Sequence, residues 1–333
     1  MIDNLLNSPP SWLNFGIFFL LATILLFVIL GFVTYGILAE RKVMGFMQAR
    51  MGPNQVGGRW GLLQTVADVL KLLIKEDVIP KVADRPLFII APVLAFAPAF
   101  MVVAALPFTD SYKFADIGVG LLYYIAVSGL TTIGIVAGGW ASNNKYALMG
   151  GMRAAAQMIS YEIPLVMSVI GVILLSGSLN LSDIVEAQDK VWFIFAQPIA
   201  FIVFFIASVA ELNRVPFDLP EAESEIVAGF HIEYSGFRWA FFMLAEYVYM
   251  FAMAALTTAL FLGGWKPVLF LDFIPGAVWF ALKFSLVIFV LIWFRSTFPR
   301  LRADRLMEFG WKVLLPIALA NIFLSALIKE LFF

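Results

Sequence analysis

Apolar runs of roughly 20 residues recur along the chain, each closed by charges, turn residues or both. A helix needs about 20 mostly apolar residues to cross the hydrocarbon core of a bilayer. Eight stretches reach that length, near 12–39, 87–107, 117–138, 155–177, 191–210, 239–263, 277–294 and 311–331. The pattern predicts an all-α integral membrane protein with about eight transmembrane helices in one polytopic domain, 1–333. The first run is too long for a signal-peptide core and has no Lys or Arg before it, so it reads as a retained helix.

One further segment, "WGLLQTVADVLKLLIKED", has helical period but is too short to span. Gln64, Asp68, Lys71 and Lys75 fall on one polar stripe, while Leu62, Leu63, Val66, Leu70, Leu73 and Ile74 cover the rest. The expectation is an amphipathic helix over about 61–76, lying flat in the interface within a long loop, 40–86. Asp68 and Lys71 read first as an exposed i,i+3 ion pair worth a few tenths of a kcal/mol. The alternative is a polar lining for an amphipathic ligand arriving from the membrane. Before this helix, Glu40, Arg41 and Lys42 suit headgroup anchoring of the first helix end, and a turn-rich stretch with Arg50 follows.

Composition agrees with the pattern. Hydrophobic residues make up 62% of the chain and charged residues 14%, against about 25% charged in ordinary globular domains. The net charge of −1 gives no hint of nucleic acid. Its distribution is more informative: 17 of the Lys and Arg residues fall in the loops after helices one, three, five and seven, and four in the loops opposite. Basic loops face the cytoplasm, which puts both termini outside and the loop 211–238 inside. No internal repeat is visible, which weakens a transporter reading. There is no cysteine and one histidine, His231. That excludes disulfides, thiolate-held iron–sulfur clusters, cysteine and histidine zinc sites and histidine-pair haem. If the protein serves redox chemistry, the electron carriers belong to partners or substrates.

The acids do not fit a solvated loop. Loop 211–238 holds Glu211, Asp218, Glu221, Glu223, Glu225 and Glu233 against Arg214 and Arg238. Glu162 is about eight residues into its apolar run, roughly 12 Å at 1.5 Å per residue, and Glu246 is about as deep. A carboxylate at the bilayer centre costs about 2.5 to 3.5 kcal/mol on insertion scales. One reading is a structural ion-pair network, because basic loops flank the acidic one. Four arginines in the loop 295–311, Arg295, Arg300, Arg302 and Arg305, suit bidentate pairing with carboxylates of this chain or a partner. The other reading is a coupled proton-carrying set with raised apparent pKa values, formed by Glu162, Glu211, Glu221, Glu223, Glu225 and Glu246. In a helix Glu221 and Glu225 share a face; in an extended segment Glu223 joins them.

Four segments carry a resemblance: "ERKVMGFMQARMGPNQVGG" with the following "LLQTVADVLKLLIKED", "GGWASNNKYALMGGMRAAAQMISYEIP", "AELNRVPFDLPEAESEIVAGFHIEYSGFRWAFFMLAEY" and "FRSTFPRLRADRLMEFGWK". From about residue 40 to 315 the chain resembles the H-subunit family of bacterial NADH:quinone oxidoreductase, respiratory complex I, equivalent to the first subunit of mitochondrial NADH dehydrogenase. The resemblance implies a non-redox membrane component of a proton-translocating enzyme in the bacterial plasma membrane, with no complete catalytic site, metal, haem, flavin or iron–sulfur cluster of its own. It implies quinone, ubiquinone or menaquinone, as bound substrate. Its partners would be hydrophilic subunits carrying the terminal iron–sulfur cluster, and small membrane subunits. It further implies that Glu40, Arg41, Arg50, Asp68, Arg295, Arg300 and Arg302 lie near the quinone entrance or the hydrophilic subunits, and that the six glutamates form an acidic funnel into the membrane. Two other readings stay open: a stand-alone proton-coupled transporter, and the anchor subunit of a membrane-bound hydrogenase or related ferredoxin-linked complex.

Overall fold

The computed structural model describes residues 11–110, 113–221, 223–267 and 273–332, with the backbone alone for Glu223, Ser224 and Phe332. The regular secondary structure of the described residues is helical apart from one isolated β-bridge. Seven of the helical segments are long and apolar enough to cross a membrane. The chain is an all-α membrane protein, as the pattern predicts. It divides into two compact units, Met1–Leu73 and Ile74–Phe333.

The first unit opens with α1, Trp12–Met47, capped where the Asn14 amide donates to Ser11 Oγ at 3.2 Å. At 36 residues it is about 54 Å long, well beyond a hydrocarbon core of about 30 Å. The apolar run stops near residue 39, but Glu40, Arg41 and Lys42 continue the helix, because they are good helix formers and neither Gly nor Pro intervenes before Gly45. Loss of apolarity marks the edge of the lipid; the helix ends later, where the Arg50 amide turns back to the Gly45 carbonyl at 2.9 Å. The amphipathic helix α2, Gln64–Ile74, forms within its expected bounds and leaves Leu70, Leu73 and Ile74 exposed, Ile74 at 84%. Arg41 Nη1 reaches Asp68 Oδ2 at 2.6 Å, and Lys71 stands 3.8 Å from the same carboxylate.

In the second unit α3 (Arg85–Met101), α4 (Gly120–Ser128), α5 (Leu130–Ala141) and the 32-residue α6 (Lys145–Ser176) come first. The short α7 (Leu181–Glu186) and α8 (Phe193–Ala196) lead to α9 (Pro198–Glu211). One turn of helix, α10 (Glu223–Ile226), precedes α11 (Gly236–Phe261) and α12 (Gly276–Thr297). The chain finishes with α13 (Ala303–Phe309), a π-helical segment Gly310–Leu314 and α14 (Leu315–Phe332).

Three segments differ from expectation. The run 191–210 is broken: Gln197 adopts φ −136°, ψ 63°, and Pro198, which has no N–H to give, starts a new helix at its favoured first position. That leaves α9 only 14 residues, about 21 Å. Helix α6 starts ten residues before the apolar run, so Arg153 lies on it and Glu162 is its eighteenth residue, not its eighth. The basic stretch 295–311 is helical at both ends and irregular only across 298–302.

Small residues let the helices of the second unit approach closely, as membrane helices require. A Cβ on Gly134 of α5 would sit 2.4 Å from the Ala95 amide nitrogen of α3. Around this crossing Phe88, Ala91, Ala95, Ile135, Ala154 and Met158 bury one cluster, and the loop between α10 and α11 plugs into it with Phe230 and Tyr234. Tyr234 stacks on Phe88 at 4.0 Å and 3°. The plug depends on Gly229, whose φ is +63° and whose Cβ would lie 1.7 Å from the Pro220 carbonyl oxygen. Gly229→Ala is therefore expected to lower stability by on the order of 3 kcal/mol, seen as a fall in the thermal transition of the detergent-solubilised protein in its complex.

Candidate functional site

Helix α9 ends inside the protein. Its last residue, Glu211, is only 4% exposed, and the chain must reverse there without leaving backbone groups unsatisfied. Asn213 takes a left-handed conformation, φ 53°, and Gln157 of α6 clamps the turn. Gln157 Nε2 lies 2.7 Å from the Ala210 carbonyl, 2.7 Å from the Phe217 carbonyl and 3.1 Å from Asn213 Oδ1. This reversal aims Arg214 across to α11. Its Nε stands 2.9 Å from Glu246 Oε1, and its guanidinium lies over the Tyr247 ring at 4.7 Å.

Glu211, Glu221 and Glu246 all line one cavity, walled on its apolar side by Ile135, Met158, Phe230 and Phe242. About 60 Å³ of it is open to the centres of water molecules, enough for a few waters at roughly 10–15 Å³ each. The Tyr249 hydroxyl donates to Glu211 Oε1 at 2.5 Å, whereas Glu211 Oε2 has no hydrogen-bond partner among the described residues. Ser128 lies within hydrogen-bonding reach of Tyr249, and the buried Tyr124 hydroxyl is within electrostatic reach of Glu211. Glu162 does not line the cavity. Its Oε1 would be 3.2 Å from a Cβ on Gly129, and its charge reaches Glu211.

Glu221 stands where the loop enters the cavity. Burial pushes its carboxyl up, to about 8, with the negative charges of Glu246 and Asp218 adding to the shift and Arg295 and Arg214 opposing it. The folded state thus prefers the neutral acid. Its stabilising contribution is complete below the ordinary glutamate value of 4.5 and is lost as pH rises towards about 8, above which it is constant. Resistance of the loop 212–235 to limited proteolysis is expected to fall between pH 5 and 8 in part through this group. Glu221→Gln, uncharged throughout, should flatten that component.

Glu225 is placed differently. Arg153 Nη1 approaches it at 2.6 Å and Arg300 Nη2 at 3.1 Å, and the carboxylate is 45% exposed. The hydrogen bond from Arg153 holds its pKa below the usual range, with Arg300 adding to the effect. Glu221 and Glu225 do not share a helix face, because the helix begins only at Glu223. The Glu223 side chain lies outside the described residues. Among the arginines, Arg295 ends α12 within reach of Glu221, and Arg302 pairs with Asp304 at 3.0 Å on the exposed surface. In the first unit Glu40 is buried, Arg41 is paired to Asp68, and Arg50 donates to Gln48 at 2.7 Å.

Several functional candidates are not evident from the sequence pattern. Tyr249 follows Glu246 by three residues, the spacing of one helix face, and that is its only linear signal. Gln157 and Arg214 carry none. Lys283 is a lone cation inside an apolar run; it is buried, donates to the carbonyls of Gly264 at 3.0 Å and Lys266 at 2.6 Å, and sits 4.2 Å from the Trp192 ring.

The fold and cavity define a multi-pass α-helical membrane protein that encloses a cluster of carboxylates where a dry core would be expected. A model of the NADH dehydrogenase family matches residues 20–326. Over the full length of both chains, the sequence is 82% identical to the H subunit of NADH-quinone oxidoreductase from Geobacillus sp. (strain WCH70), 81% to that from Anoxybacillus flavithermus and 80% to that from Bacillus mycoides (strain KBAB4). The chain belongs to the NADH dehydrogenase family. The resemblance drawn from four motifs is borne out, and it extends beyond 40–315 into the first and last helices, which offer only generic apolar character to the eye.

Proposed function

We propose that this chain is a membrane subunit of NADH:quinone oxidoreductase, and that its acid cavity carries protons between quinone chemistry and the membrane. The observation that carries the reading is the convergence of Glu211, Glu221 and Glu246 on one water-sized cavity. Ionisable residues buried in membrane helices mark proton or substrate paths by default, and crowded carboxyls titrate as a coupled set. In this reading Glu221 takes protons at the cytoplasmic mouth. Glu246 and Glu211 exchange them across the cavity, and Tyr249 and Ser128 lead on towards Glu162. Glu223 belongs to the mouth by its position in the chain. Glu225, held between Arg153 and Arg300, anchors the mouth instead of carrying protons.

The electron carriers reside on other subunits, since a chain without cysteine and with a single histidine offers no thiolate set for an iron–sulfur cluster and no histidine pair for haem. Quinone is the substrate, and in this reading Glu40, Arg41, Arg50, Asp68, Arg295, Arg300 and Arg302 serve its entrance or the contact with the hydrophilic subunits. The amphipathic α2 with its exposed apolar face suits a ligand arriving from the bilayer. The complex sits in the bacterial plasma membrane with the basic loops inside and both termini outside.

Two measurements test this. Mild-detergent purification through a tag on this chain should bring down iron–sulfur subunits and quinone; a lone chain active in vesicles would favour a stand-alone transporter. The sharper test is Glu211→Gln in the assembled complex, read as protons moved per NADH oxidised. An unchanged ratio would overturn the proton-path reading.

A further inference from the structure

His231, the only histidine of the chain, closes the 3-10 turn Gly229–His231 beside the cavity. The residue is 8% exposed, and its ring packs edge-on against Phe230, at 5.0 Å and 82°, and Trp239, at 6.3 Å and 65°. Among the described residues, its buried Nδ1 has no hydrogen-bond partner. A buried polar atom left alone in a native structure calls for an explanation. The group facing it is the Glu221 carboxyl, with Oε1 at 3.9 Å.

We propose that His231 is a positioning residue for Glu221: its Nδ1 lone pair is a second hydrogen-bond station for the carboxyl, occupied when Glu221 carries its proton and vacated when it does not. The inference rests on the proton-path reading and assigns that path a gate at its mouth. Burial pushes the imidazole down to about 4, so it is neutral at physiological pH. With the ring proton on Nε2, Nδ1 can only accept. An acceptor binds the protonated carboxyl, which has an O–H to give, and offers nothing to the carboxylate. An ionised Glu221 is instead drawn by the guanidinium groups of Arg214 and Arg295 and repelled by Glu246 and Asp218. The position of the carboxyl therefore follows its protonation.

Among the described residues, the charged groups beside the turn have partners of their own: Arg238 pairs with Asp77 at 2.9 Å, and Glu233 accepts from Asn144 at 2.6 Å. Helix α6 meets the turn at Gly150, where a Cβ would lie 2.6 Å from Gly229 Cα, and its Arg153 is committed to Glu225. Helix α5 has no titratable side chain. Helix α11 presents the Trp239 ring to the imidazole, and its Glu246 is paired with Arg214.

The experiment replaces His231 in the intact complex, assayed in inside-out membrane vesicles for NADH-driven quinone reduction and proton translocation from pH 6 to 9. His231→Phe keeps an aromatic ring and removes the acceptor. His231→Leu removes it with a smaller side chain, should Phe disturb assembly. His231→Asn returns an oxygen near the position of Nδ1. Losing an acceptor for the neutral acid lowers the Glu221 pKa. The alkaline limb of translocation is thus expected to move to lower pH by about half a unit to one unit in Phe or Leu, and to return in Asn. An unmoved limb, or one moved to higher pH, overturns the proposal. A second readout does not depend on translocation. The infrared carbonyl band of protonated Glu221, assigned by its loss in Glu221→Gln, should shift to higher frequency in Phe or Leu and recover in Asn. If Glu211→Gln leaves translocation intact while this band still shifts, the proton path falls and the hydrogen-bond station stands. If Glu211→Gln abolishes translocation and neither band nor limb moves, only the station falls.

Discussion

Glu211→Gln is expected to lower the rate of NADH-driven proton translocation at least about tenfold, in line with the 10²- to 10⁴-fold rate contributions of positioned acid–base groups. Glutamine keeps the shape of the side chain and can accept from the Tyr249 hydroxyl as Oε1 does now, at 2.5 Å. It removes a group whose second oxygen is buried with no hydrogen-bond partner among the described residues, so the fold has little to lose. An amide, however, cannot take up and release a proton. Translocation would be measured in inside-out vesicles by quenching of a pH-sensitive dye, normalised to assembled complex. Glu308→Gln is the control, because Glu308 lies on the exposed surface next to Lys312 at 2.6 Å, away from the cavity.

Arg214→Leu is expected to destabilise the protein by about 3–5 kcal/mol, the range for breaking one side of a buried ion pair. The Arg214 side chain is 2% exposed and the Glu246 side chain 21%, so removing the cation strands a largely buried carboxylate. It also removes the stacking on Tyr247. The expected result is a large drop in the thermal transition of the complex, or failure to assemble. The double variant Arg214→Leu/Glu246→Gln should recover part of the loss, because the stranded charge is then gone. A double variant whose effect equals the sum of the two single effects would show that the two side chains do not interact.

These two residues also show how far the sequence could be read. Glu211 is conspicuous as an acid at the end of an apolar run, and its chemistry could be suspected from that position alone. Arg214 lies three residues on and reads as one base of an acidic loop. Its role follows only from the turn held by Gln157, a residue 57 positions earlier, which sends it to Glu246. The same contrast separates Glu221 from Glu225. Their spacing would place them on one face of a helix, yet the helix starts between them. One carboxyl goes into the cavity and the other to two arginines at the surface. The amphipathic α2 was legible because its period is a local property of consecutive residues. The ends of α1 and α6 were not, because hydrophobicity reports where lipid begins, while a helix continues as long as its residues tolerate helical geometry.

The all-helical membrane class, the family and the positions of the ionisable side chains are legible in the chain itself. Those follow from composition, period and motif, which accumulate along the chain and need no knowledge of contacts. Which acids meet depends on how the helices pack. Glu211, Glu221 and Glu246 share a cavity, Glu225 is held apart, and His231 faces Glu221 at 3.9 Å. The interactions that set protonation act over a few ångströms in a low-dielectric interior, and distances on that scale are fixed by packing between helices far apart in the chain.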